Sequence, residues 1–147
     1  MTIICYRDGV MAADGATFTH DRIAGMVRKI ARAPDGSLGA AAGDAGECGR
    51  FRTWVENGMK EPFKLTEGAD FGGIVVSPSG IVTRLDNKAR PVLLDADYAI
   101  EGAPEDIAAG AMEAGATAEQ AVRICIKVHG FCAGPVQVER LAYYTGR

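Results

Sequence analysis

The sequence predicts an α+β protein made of layered antiparallel sheets. Three observations carry this. The turn signals Arg7-Asp8-Gly9, Pro34-Asp35-Gly36 and Pro78-Ser79-Gly80 each separate two short β-prone runs, as hairpins require. Helical apolar spacing occurs in only three stretches, with no βαβ alternation. The resulting order is strands, helix, strands, two helices, strand, which suits sheets packed in layers with helices. No repeat, low-complexity segment or boundary interrupts residues 1–147, so one domain is expected.

Residues 2–6 and 10–14 read as the first hairpin, with Arg7-Asp8-Gly9 as a three-residue loop ending in a left-handed glycine. If Tyr6 faces Val10, then Thr2 faces Asp14 across the pair. Residues 16–25, with Thr17, Thr19 and Asp21, read as a loop. Residues 26–33 and 37–42 form the second hairpin around Pro34-Asp35-Gly36. Strand alternation there places Lys29 on one face with Val27 and Ala31, an apolar setting unusual for a lysine. A helix follows over 44–59, with Cys48, Phe51, Val55 and Met59 at helical spacing and Gly58 at its end. Residues 60–68, with Pro62 and several charges, read as an exposed loop. Strands at 71–77 and 81–86 make the third hairpin, and short strands follow at 92–94 and 98–100. Pro104 stands at a first helical position with Glu105 and Asp106 behind it, and that helix stops at Gly115. Thr117 and Gln120 form a capping box for a helix to about residue 128, and residues 136–144 read as the last strand.

Composition narrows the function. Hydrophobic residues make up 48% and charged residues 24% of the 147, which fits a folded globular chain. The net charge of -3 argues against nucleic acid or an anionic membrane as partner. No apolar run approaches the ~18 residues that span a bilayer, and no secretion signal is visible, so a cytoplasmic location is expected. The four cysteines contain no CxxC pair and there are two histidines, His20 and His129, so neither a metal site nor a cofactor is expected. Reduced, partly buried thiols are expected, with Cys125 in the core. A cysteine hydrolase using Cys48 and His129 finds no motif linking the two.

Thr2 carries the most specific chemistry. Removal of Met1, which the small Thr2 side chain permits, would leave a hydroxyl and a free α-amine on one residue: a nucleophile and its base. An α-amine titrates at roughly 7.7–8, near working pH. With Met1 attached, the Thr2 nitrogen is an amide and has no basicity.

The segments Thr2-Ile3-Ile4, Val10 to Thr17, Arg28-Lys29-Ile30, Ala40 to Ala45 and Ile100-Glu101-Gly102-Ala103 resemble, in this order and spacing, the proteasome β-subunits and HslV-type peptidases. The resemblance covers most of the chain, which is shorter than typical members, mainly in the middle. It implies an N-terminal-nucleophile (Ntn) hydrolase fold, a four-layer αββα sandwich of two antiparallel sheets flanked by helices. It also implies a threonine peptidase working as a self-compartmentalising homo-oligomeric ring on peptides or unfolded proteins. By position, Thr2, Asp14 and Lys29 match the family's nucleophile, acid and lysine, and the oxyanion-hole N–H falls at Ala40, with Gly43 nearby. An unfoldase would have to be a separate partner, because the chain carries no nucleotide-binding loop. The supporting shell departs from the family. Ala103 stands where a serine supports the nucleophile's amine, and His129 and Cys132 stand where an acid and a hydroxyl residue assist it. An alternative reading is therefore a catalytically silent structural or assembly protein that retains Met1, of a kind met among compact phage or prophage relatives.

Overall fold

A computed structural model describes residues 1–146. Eleven strands and three helices follow in the order β1 (Ile3–Arg7), β2 (Val10–Ala13), β3 (Ala16–Thr19), β4 (Arg22–Met26), β5 (Ile30–Arg32), β6 (Leu38–Gly43), α1 (Ala45–Glu56), β7 (Phe71–Val76), β8 (Val82–Leu85), β9 (Pro91–Leu94), β10 (Tyr98–Gly102), α2 (Glu105–Glu113), α3 (Ala118–Val128) and β11 (Gln137–Arg140). One sheet runs β10-β1-β2-β11 and a second β5-β6-β7-β8-β9, all neighbours being antiparallel. β3 and β4 form a separate hairpin.

Alternation along the strands separates three apolar layers. Ile4, Tyr6, Met11 and Ala13 of the first sheet meet Leu38, Ala40, Ile74 and Val76 of the second. The opposite face of β1 and β2, through Ile3, Cys5 and Ala12, packs on Met112, Val122 and Cys125 of α2 and α3. The outer face of the second sheet packs on Phe51 and Val55 of α1, with Phe63 and Phe71 completing an aromatic cluster. The layers are therefore helix, sheet, sheet, helix. The 60–68 segment has no regular secondary structure, as expected, but contributes the buried Phe63.

Helix ends follow local sequence. The Thr117/Gln120 capping box forms in full. Gly58 and Gly115 each close a Schellman motif: Gly58 and Met59 amides bond to Val55 and Trp54 carbonyls, and Gly115 and Ala116 amides to Met112 and Ala111. Pro104 sits one position earlier than expected, as the N-cap of α2.

Several expectations need correction. The first turn has two residues, not three: Arg7 pairs with Val10, and Asp8 and Gly9 both have positive φ, as a type I′ turn demands. The register is therefore shifted by one, and Asp14 bonds to Ile3, not Thr2. Residues 16–25 are not a loop but supply β3 and most of β4, which turn at His20 (φ 53°) and Asp21. The 26–33 strand is split: Met26 ends β4 and β5 starts only at Ile30. The short strands expected at 92–94 and 98–100 do form, in different sheets. The last strand stops at Arg140.

Asp86 organises the turn between β8 and β9. Its carboxylate accepts the amides of Lys88 (2.9 Å) and Arg90 (3.0 Å) and the Arg90 Nε (2.9 Å). These bonds, the Arg90 amide first, hold its carboxyl down to about 2. The unfolded chain returns it to roughly 3.9. Because the folded value is the lower one, its contribution is full above about pH 4 and is lost as pH falls through about 2. Melting of the wild type and Asp86→Asn should therefore differ near neutral pH and converge on acidification through that window. A gap that persists to pH about 2 would contradict this assignment.

Candidate active site

Thr2, Asp14 and Lys29 meet at one end of the layer between the sheets. Lys29 Nζ donates to Thr2 Oγ1 (3.0 Å) and to Asp14 Oδ1 (2.9 Å). Asp14 is 0% and Lys29 4% exposed, so the ion pair is dry, while Thr2 is half-buried. The same Asp14 Oδ1 accepts the Ile3 amide (3.0 Å), and Oδ2 accepts the Ala133 amide (3.4 Å). A buried charge is tolerable only when paired and hydrogen-bonded, and this carboxylate has both.

Local folding sets each group. The tight Asp8-Gly9 turn brings Asp14 beside Ile3, so the carboxylate grips the backbone one residue past Thr2. Lys29 precedes β5, and its amide is held by Gln137 Oε1 (2.7 Å) at the start of β11. Lys29 and Val27 line one cavity beside Thr2, whereas Ala31 packs against α1. The Thr2 carbonyl accepts the Ala103 amide (3.1 Å). Gly102, with φ 129°, makes that approach possible, because a Cβ there would overlap the Thr2 carbonyl oxygen.

The remaining candidates divide. Ala103 borders Thr2 and supports it by backbone only. Cys132 is buried, and burial first, then the Asp14 charge, pushes its thiol up to about 12, so it stays neutral. His129 caps α3 and its Nδ1 accepts the Phe131 amide (3.3 Å); it lines neither cavity at Thr2. Ala40 is fully buried between the sheets and also lines neither. Gly43 lines both. The Asp44 amide bonds across to Asp70 on the β7 side, so alternation turns the Gly43 N–H to the opposite edge, alongside the stretch before β5.

Sequence reasoning missed Gln137 and Ala133. Their only signals were a polar residue in a weak strand and a glycine-flanked loop, neither of which encodes a partner over a hundred positions away.

Two cavities flank Thr2. One, about 300 Å³, lies toward β3 and α1 and includes Phe18, Val27, Ala41, Ala45, Cys48 and Arg52. The other, about 480 Å³, lies toward α2 and includes Asp70, Arg84, Glu101 and Glu105. Met1 borders both. Its α-amine is held below its ordinary value, first by burial and then by the Lys29 charge. Among the described residues no group of acidic, histidine and cysteine side chains could hold a metal ion, and no helix is long and apolar enough to cross a membrane.

The fold is the Ntn-hydrolase fold shared with HslV-type and proteasome-like subunits. The chain is similar to HslV from Trypanosoma brucei at 18% identity, covering 95% of this chain and 98% of that one with a TM-score of 0.67. It is likewise similar to Thiobacillus denitrificans BPH, both in complex with epoxomicin (17% identity, 97% and 99% covered, TM-score 0.66) and without it (18%, 96% and 98%, 0.64). No protein-family model and no curated protein matches the sequence.

Proposed function

We propose that this protein is a threonine-type peptidase or amidase acting through Thr2 once Met1 is removed. The observation that carries it is the Lys29 ammonium placed between Thr2 Oγ1 (3.0 Å) and Asp14 Oδ1 (2.9 Å). The positive charge favours loss of the hydroxyl proton, and the bond to Asp14 holds Lys29 aimed at Thr2. The freed Thr2 amine takes the Oγ1 proton as Oγ1 bonds to the substrate carbonyl carbon. The oxyanion that forms is met by the Gly43 N–H, in place of the Ala40 N–H expected from sequence. The amine then returns the proton to the leaving nitrogen, and a water molecule repeats the cycle on the acyl-Thr2 ester. The likeness to HslV supports a ring of identical subunits, cytoplasmic, taking peptides or unfolded protein, with any unfoldase as a separate partner.

Intact-mass measurement should show loss of Met1, and peptide hydrolysis by that species should vanish in Thr2→Ala. Fully processed, assembled protein that cleaves no peptide in a varied panel would sink this reading. Light scattering should report an oligomer, and a monomer at micromolar concentration would count against the ring.

One observation favours a second reading, a catalytically silent assembly or structural protein that retains Met1. The amine's surroundings are thin: Ala103 offers only its backbone and Cys132 a neutral thiol. The same mass measurement separates the two.

A further inference from the structure

The cavity between Thr2 and α1 contains a positive charge that the proposed reaction leaves unused. Asp44, Cys48 and Arg52 recur at four-residue spacing, so one stripe leading into and along α1 borders the cavity. Asp44 Oδ2 already accepts the Asp70 amide (3.0 Å). Cys48 stays a neutral thiol, because burial pushes it up to about 11 against the pull of the Arg52 charge. Lys29, the other cation in the wall, is paired with Asp14. Nearby arginines are also committed, Arg50 to Glu47 and Arg28 to Glu56. Arg52 is half-buried and makes no ion pair or side-chain hydrogen bond among the described residues.

The direction of Arg52 matters as much as its charge. Helical side chains lean toward the N-terminus of their helix. Arg52 follows this rule: a Cβ on Gly49 would lie 3.7 Å from its Nη2, so the guanidinium is folded back over the preceding turn. The absence of a side chain at Gly49 leaves that space open. Asp44 lies eight residues earlier, about 12 Å along the axis, so its negative charge stays at the Thr2 end of the stripe. The cavity on the other side of Thr2 has the opposite character. Asp70, Glu101 and Glu105 line it, and its arginine, Arg84, is already bonded to Glu101 (3.0 Å).

We propose that the cavity beside α1 receives an acidic side chain of the substrate, and that Arg52 is its specificity-determining residue. This rests on the reading of Thr2 as nucleophile, and the acidic side chain belongs to the residue whose carbonyl is attacked. A guanidinium offers a planar fork that matches a carboxylate, and Val27, Ala41 and Ala45 beside it leave room for the aliphatic stem of an acidic side chain. A lysine side chain in the same place would face Arg52 and be repelled.

The test is calorimetric titration of the processed protein with N-acetylated tripeptides that differ only in a C-terminal Glu, Leu or Lys. The Glu peptide should bind roughly 10- to 100-fold tighter than the Leu peptide, the range expected of a hydrogen bond between charged groups. Arg52→Ala should bring that ratio close to one, and Arg52→Glu should shift the preference to Lys. Equal binding of Glu and Leu peptides to the wild type overturns the proposal, as does a preference that survives in Arg52→Ala, or no binding of any of the three. Thermal melting of both variants checks that they fold. Binding does not require turnover, so the outcomes separate: selective binding without hydrolysis defeats the peptidase reading alone, and hydrolysis without selectivity defeats only the role of Arg52.

Discussion

Replacing Lys29 by Ala should lower kcat/KM for peptide hydrolysis by about 10²–10⁴-fold, the usual contribution of a positioned group that manages a proton. Lys29 Nζ donates to Thr2 Oγ1 (3.0 Å), and at 4% exposure its charge is only weakly screened. Its loss leaves Thr2 with an ordinary alcohol and removes the charge that favours deprotonation. The variant also takes away the counter-charge of the buried Asp14 and should lose stability, a loss limited by the Ile3 and Ala133 amides that still donate to the carboxylate. Steady-state kinetics on the Met1-free species, with a thermal melt to establish folding, read the result. Unchanged turnover in a folded Lys29→Ala protein would remove this lysine from the mechanism.

Asp14→Ala should cost more in stability than any surface change, about 3–5 kcal/mol, the range for breaking a buried ion pair by removing one partner. Asp14 is fully buried and collects three donors, Lys29 Nζ and the amides of Ile3 and Ala133. The variant would strand the Lys29 ammonium in a buried site without counter-charge and take the acceptor from the buried Ile3 amide and the part-buried Ala133 amide. The midpoint of urea unfolding should fall sharply with its slope unchanged. A loss under about 1 kcal/mol would mean that water reaches the pair, at odds with its burial. The double variant Asp14→Ala/Lys29→Met should recover part of the loss, since an uncharged side chain in that place needs no partner.

These two variants also mark the limits of the sequence. Asp14 was found opposite the N-terminal strand, but one residue out of register. The error came from counting Arg7 into the loop. The Asp8-Gly9 pair, both with positive φ, closes the turn in two residues and moves the carboxylate to the Ile3 amide. The missed β3–β4 hairpin has a similar origin, since threonines and a glycine read locally as loop while pairing supplies the strand. Gly43 lines both cavities at Thr2 and Ala40 lines neither, a difference hidden from the sequence because a run of small residues carries no signal of which one faces the cavity.

The sequence alone was enough for the α+β class, the three helices with two glycine stops and a capping box, and most of the hairpins, and its resemblance to a known family singled out Thr2, Asp14 and Lys29 as a group. Those features rest on periodicity, turn chemistry, helix capping and motif order, all carried by residues near one another in the chain. Tertiary structure decided the rest: the one-residue register, the grip of Gln137 and Ala133 on Lys29 and Asp14, the assignment of β9 and β10 to different sheets, and the opposite charge of the two cavities beside Thr2. Each of these depends on groups brought together across long stretches of chain, where packing and charge in three dimensions choose partners that local spacing does not encode.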